Sequence, residues 1–233
     1  MIKTALVWFK TDLRIEDNET LVKAISQSEK VIPVYCFDDS HFEASVYGFK
    51  KTGSFRAQFL LESLEDLDAK LRALGSGLHI VMGKLEVEIP KLVQEYKAQK
   101  VFAKREVAFE ERQTEKKVQD ELFKLRCELE KVSTSTLYRA EDLPFSIKDI
   151  PDVFTNFRKK TEKDSEIRPP FEAPTNINSP EISPLIHCES SFSFKDFEFI
   201  FSVFMPLYKK NLVWYFLNIN RKKSRQSNSK TNQ

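Results

Sequence analysis

The chain has 233 residues, 41% hydrophobic and 31% charged, which suits one full globular domain plus a remainder and excludes wholly disordered and membrane-spanning classes. A net charge of +2 gives the whole molecule no strong field for gripping a nucleic-acid backbone. Cys36, Cys127 and Cys188 lie far apart with no CxxC or Cys/His cluster, which argues against structural zinc and for a reducing compartment.

Residues Thr4–Phe9 (TALVWF) form a continuous apolar run, as expected of a strand buried on both faces. It starts within a few residues of Met1, so no targeting peptide is expected before it, and the compartment is otherwise left open. A turn through Lys10–Asp17 follows, with Asp17 placed to cap a helix carrying Leu21, Val22 and Ile25. Val31–Phe37 (VIPVYCF) reads as a second buried strand, with Pro33 near its start. After a loop come Leu60, Leu64, Leu67, Leu71 and Leu74, one stripe of a 3.6-residue helix that stops at Gly75. Leu78–Met82 is the next strand, and Val87–Tyr96 a helix with Pro90 in its first turn. Val101–Ala103 is a short strand, Glu110–Phe123 a helix rich in i,i+4 charge pairs, and Arg126–Val132 the last strand.

Strands alternating with helices predict an α/β fold: a five-stranded doubly wound parallel sheet, with helices on both faces and an irregular C-terminal extension. Ligands of such sheets sit beyond the carboxyl ends of the strands. The expected domain spans 1–143. Residues 144–190 read as an interdomain linker, because Arg168–Pro184 holds five prolines with Asn and Ser between them. Residues 191–233 read as an atypical, disordered tail. Seven phenylalanines (Phe192, Phe194, Phe197, Phe199, Phe201, Phe204 and Phe216) crowd there without period, and Arg221–Gln233 carries five positive charges and no acid. Pro206 and Lys209–Lys210 break its apolar part short of the ~20 residues a membrane helix needs.

Several strings carry a family resemblance. Leu6–Asn18 (LVWFKTDLRIEDN) resembles the amino-terminal signature of the cryptochrome/photolyase family. Lys51–Arg56 (KTGSFR) with Phe59–Leu67 (FLLESLEDL) is similar to the DASH subgroup, as are Ser135–Tyr138 (STLY) and Asp142–Phe145 (DLPF). Arg105–Val107 with Glu111 falls where the family places part of its antenna site. The resemblance runs over about residues 1–170 and implies a light-driven flavoprotein. Its α/β domain holds a folate antenna, 5,10-methenyltetrahydrofolate, while a longer helical domain holds FAD and the cyclobutane pyrimidine dimer in single-stranded DNA. The present chain is expected to be that α/β domain, truncated before the FAD domain. By itself it should bind folate weakly, meet DNA only through the absent domain, and repair nothing. No catalytic residue and no metal ligand is expected.

The candidate pigment contacts are Glu111, Glu110, Phe37, Asp38, Tyr47 and Phe49. Glu110 and Glu111 open a helix after a strand, where the helix dipole favours a carboxylate. A carboxylate is also a good acceptor for the amino group and ring N–H of a pterin. Alignment of Glu115–Leu122 with the family makes Glu111 the better match to its antenna glutamate. Two solvated acids at a helix start are the competing reading. Phe37 and Asp38 end the second strand, and Phe37 also suits core packing. Tyr47 and Phe49, in the loop beyond, would form walls for a flat ring. The turn carrying Asp12, Arg14 and Asp17 could shape the cleft mouth, or be a local ion pair and helix cap. The rival function is a stand-alone α/β module binding a nucleotide or a protein. The chain has only five glycines and no glycine-rich phosphate loop, which weighs against the nucleotide form of that reading.

Overall fold

The computed structural model describes residues 1–42, 47–49 and 51–182, together with the backbone of 186–187. The chain divides into two compact units, residues 1–51 with 63–190 and residues 52–62 with 191–233. The described part of the second, Thr52–Glu62, supplies the first turns of one helix, where Gln58 Nε2 donates to Glu62 Oε1 at 2.8 Å. The sheet belongs to the first unit. The aromatic and basic segment 191–233 lies outside the described residues.

The expected five strands form: β1 (Ile2–Phe9), β2 (Ser28–Phe37), β3 (His79–Met82), β4 (Lys100–Lys104) and β5 (Glu128–Val132). All pair in parallel, and a two-residue β6 (Ile186–His187) joins β3, giving the order β5-β4-β1-β2-β3-β6. Apolar residues fill both faces of β1 because helices cover both. Leu6 and Trp8 share a core with Ile89, Leu92, Val118 and Leu122, from α3 (Leu85–Tyr96) and α4 (Phe109–Lys124). Ala5, Val7 and Phe9 point the opposite way by the alternation of a strand. On that face lie Leu21 and Ala24 of α1 (Glu19–Gln27) and the buried Leu64, Leu67 and Leu71 of α2 (Ser54–Ala73). Each buried leucine among them contributes about 1.5–3 kcal/mol by leaving water.

Element ends differ from expectation for local reasons. Asn18, not Asp17, caps α1: its Oδ1 accepts from Leu21 N at 3.0 Å, while its Nδ2 donates to the carbonyls of Asp12 and Arg14. Asp17, with φ +44°, is turned outward. Helix α3 begins two residues earlier than the spacing suggests, so Pro90 is its sixth residue and leaves the Glu86 carbonyl without the usual i−4 donor. Strand β5 starts at Glu128 because Arg126, at φ +56°, belongs to the closing turn of α4. The charges of α4 also look outward more than along the helix: Lys117 faces Glu86 at 3.8 Å, and Lys131 of β5 donates to Gln119 at 3.0 Å.

The described part of the proline-rich stretch is bonded to the domain. From Phe171 to Ile182 it straps across the domain, and its prolines, lacking N–H groups, leave few donors to satisfy. Asp17 N donates to Phe171 O, and Phe171 N donates to Asp17 Oδ1, both at 3.1 Å. Farther along, Ile177 N donates to Leu74 O at 2.8 Å and Val31 N donates to Asn178 O at 2.9 Å. Ser76 and Ser179 hydroxyls bond at 2.6 Å. Ile177 and Ile182 are buried. Gly75 permits the crossing: its φ is +86°, and a Cβ there would stand 3.4 Å from Asn176 Oδ1. A fifth helix, α5 (Phe154–Asp164), precedes the strap.

Candidate functional site

In a doubly wound sheet the ligand-binding crevice opens where strand order reverses, here between β1 and β4. Each strand is followed there by a short loop, and the two loops are locked together. Lys10, the first residue after β1, sends its Nζ to Glu115 Oε1 at 2.5 Å and to Lys104 O at 2.9 Å. The same Glu115 oxygen accepts from Glu106 N at 2.9 Å. Lys10 N bonds Asp12 Oδ1 at 3.0 Å, Lys104 Nζ donates to Thr11 Oγ1 at 2.7 Å, and the Lys10 ammonium lies 4.3 Å from the Trp8 ring centroid. The Lys10 and Glu115 side chains are only 11% and 4% exposed. Burial pulls the Lys10 ammonium below its ordinary value, against the opposing effect of the Glu115 bond. Burial likewise pushes the Glu106 carboxyl up, with Lys104 and Lys10 working against it. Within the crevice Lys10 and Glu115 thus satisfy each other.

Along the same edge, farther out, lies a different surface. The loop after β2 carries Tyr47 and Phe49, 80% and 64% exposed, their rings near parallel (17°) with centroids 6.0 Å apart. Lys51 of that loop pairs with Glu110 Oε2 at 3.2 Å, so loops from β2 and β4, strands separated by β1, meet at the start of α4. Glu110 and Glu111 stand in the first turn of α4, exposed, and its N-cap Ala108 offers no side-chain bond to the helix N–H groups. Val107 and Phe109 are exposed beside them. Through Lys51 the loop that carries the aromatic pair thus meets the helix start that carries the two carboxylates, and loop and helix start form one lip.

The DNA photolyase family model matches residues 5–175, most of the chain. The chain belongs to the DNA photolyase family. It is 43% identical over 175 residues to a cryptochrome DASH of Gloeobacter violaceus, covering 75% of this chain and 35% of that protein. It is 41% identical over 177 residues to a blue-light photoreceptor of Arabidopsis thaliana, covering 76% and 39%. The solved cryptochrome of a Synechocystis species superposes with a TM-score of 0.75 at 38% identity, over 81% of this chain and 39% of that one. The chain therefore spans between about a third and two fifths of the length of these relatives.

Within this photolyase-family domain the six expected contacts separate. Tyr47, Phe49, Glu110 and Glu111 stand at the carboxyl edge, with Glu110 tied to the aromatic loop through Lys51. Phe37 is buried, edge-on to Tyr35 at 5.0 Å and tilted against Phe42 at 6.1 Å. Asp38 serves a turn: its Oδ1 accepts from Ser40 N at 2.9 Å and its carbonyl from His41 N at 3.1 Å. In the signature turn, Arg14 pairs locally with Asp17 at 3.6 Å. The sequence did hold a signal for the crevice pair. Glu115, Val118 and Leu122 share one stripe of α4, and a carboxylate on a buried stripe requires a cation. Among the described residues no group of three or more His, Cys, Asp or Glu could hold a metal, and no helix is long and apolar enough to cross a membrane.

Proposed function

We propose that residues 1–175 are the pigment-holding domain of a DASH-type light-responsive flavoprotein, taking a methenyltetrahydrofolate-type antenna at the lip made by Tyr47, Phe49, Glu110 and Glu111. The observation that carries this reading is the ion pair between Lys51 and Glu110, which brings the exposed aromatic loop and the acidic start of α4 to one place. A pterin is flat and presents an amino group beside ring N–H. Near-parallel rings offer it a stacking surface, and a carboxylate in the first turn of a helix offers it an acceptor held by the dipole. When bound, such a pigment absorbs near-ultraviolet and blue light and passes the excitation on. The residues named here bind it and orient it, and move no proton or electron.

The lip is one open wall, so most of a ligand seated there would remain in water, and affinity from these contacts alone should be modest. Light-driven repair of pyrimidine dimers in single-stranded DNA, by family resemblance, uses the helical flavin region, which lies outside the matched residues. The test is a titration of the full chain with 5,10-methenyltetrahydrofolate, read by the near-ultraviolet band of protein retained on a desalting column and by thermal shift. Saturable retention, and stabilisation that grows with ligand excess, are expected. Stabilisation by ATP or AMP with none by the folate would replace this proposal with a nucleotide-binding module.

A further inference from the structure

We infer that Glu115, anchored by Lys10, is a positioning residue for the lip: its carboxylate fixes the backbone of residues 105–109 and so sets where Glu110 and Glu111 stand. The inference rests on the pigment-lip reading for its purpose, though the geometry behind it is independent of any pigment.

The loop between β4 and α4 is short and has no side-chain cap at Ala108. Its fixed points are few. Arg105 N donates to Val132 O at 2.8 Å, which ties its first residue to the end of β5. The next donor, Glu106 N, turns inward to Glu115 Oε1 at 2.9 Å, nine residues ahead and two turns into α4. A helix rises 1.5 Å per residue as a rigid rod, so holding position 115 against position 106 fixes the register of the intervening first turn. Lys10 secures the other side. Its ammonium joins the last carbonyl of β4, at Lys104, to the carboxylate of α4, and β1 supplies the rigid base from which it reaches.

Two buried charges are a costly way to hold a loop if stability alone is at issue, because a well-packed apolar pair of similar volume often does as well. What an apolar pair lacks is the acceptor for Glu106 N. The specific content of the inference is therefore that acceptor oxygen, not the ion pair as such. Side chains fixed in this way bind with less entropy loss than side chains on a wandering loop.

The experiment compares two double variants of the full chain, each removing the Lys10 ammonium and the Glu115 carboxylate together. K10M/E115Q keeps a carbonyl oxygen for Glu106 N; K10M/E115L has similar volume and no acceptor. Both should fold, with circular dichroism and melting as checks. With methenyltetrahydrofolate as the probe, K10M/E115L should bind about tenfold more weakly than K10M/E115Q and shift the near-ultraviolet band of the bound pigment. Equal affinity and equal band position in the two folded variants would overturn the inference. If wild type itself binds no folate, the pigment reading fails while the positioning claim is still read by amide hydrogen exchange. Faster exchange at 106–111 in K10M/E115L than in K10M/E115Q supports it, and identical exchange overturns it.

Discussion

The carboxyl edge of the sheet holds two neighbourhoods built from similar residue types and put to opposite use. In the crevice between β1 and β4, the buried Glu115 bonds both the Lys10 ammonium and Glu106 N. At the lip, Tyr47, Phe49, Glu110 and Glu111 are exposed. The first gains rigidity by satisfying its polar groups internally. The second keeps ring faces and carboxylates turned to solvent, where a ligand can meet them. An acid thus acquires its role from burial and partner, not from its place in a helix, since Glu111 and Glu115 are one turn apart on α4.

Breaking the crevice should cost most. Glu115→Ala leaves the Lys10 ammonium buried without its carboxylate and should destabilise the domain by about 3 kcal/mol, read as a lowered midpoint in urea at unchanged slope. A loss below 0.5 kcal/mol, roughly the level of an exposed pair, would erase the contrast. Breaking the lip should leave melting untouched and reduce folate affinity instead. Glu111→Gln should lose about tenfold, as for a charge-assisted bond made neutral, and Tyr47→Ala about threefold. The gentlest probe is pH. Burial raises the Glu106 carboxyl above its ordinary 4.5, so the folded chain holds that proton more tightly than the unfolded one. Its contribution to stability is present below 4.5 and is lost as pH rises through the higher folded value. In Glu106→Gln the melting temperature should fall less between pH 4 and 7 than in wild type; parallel curves would remove Glu106 from the crevice account.

Legibility in the sequence followed physical locality. The sheet was readable because Ala5–Phe9 and Val31–Phe37 carry apolar residues on both alternating faces, as a doubly covered strand does, and because the α2 stripe at Leu64, Leu67 and Leu71 repeats with the helical period. Glu110 and Glu111 were expected to open a helix from their position after β4, and they stand in the first turn of α4. Phe37 and Asp38 sat at the right strand end, but side-chain direction and turn chemistry placed one in the core and the other in a turn. The strap was missed because proline spacing describes flexibility before contacts form. Its anchors, Asp17 to Phe171 and Val31 to Asn178, join residues about 150 apart, a distance no local pattern records. Lys10 and Glu115 failed for the same reason, although the apolar stripe around Glu115 gave a partial clue.

β6 adds only Ile186 and His187, yet it lies along the outer side of β3. The β3 sequence, HIVM, has no lysine, glutamate or proline to discourage pairing with a stranger, and without β6 its outer amides and carbonyls would be open at the end of the sheet. A protein ending at residue 143 would expose that edge together with the surface covered by Ile177 and Ile182. It should self-associate in sedimentation at concentrations where the full chain does not. Self-association of that shorter protein would assign the proline-rich return the task of guarding the sheet against aggregation.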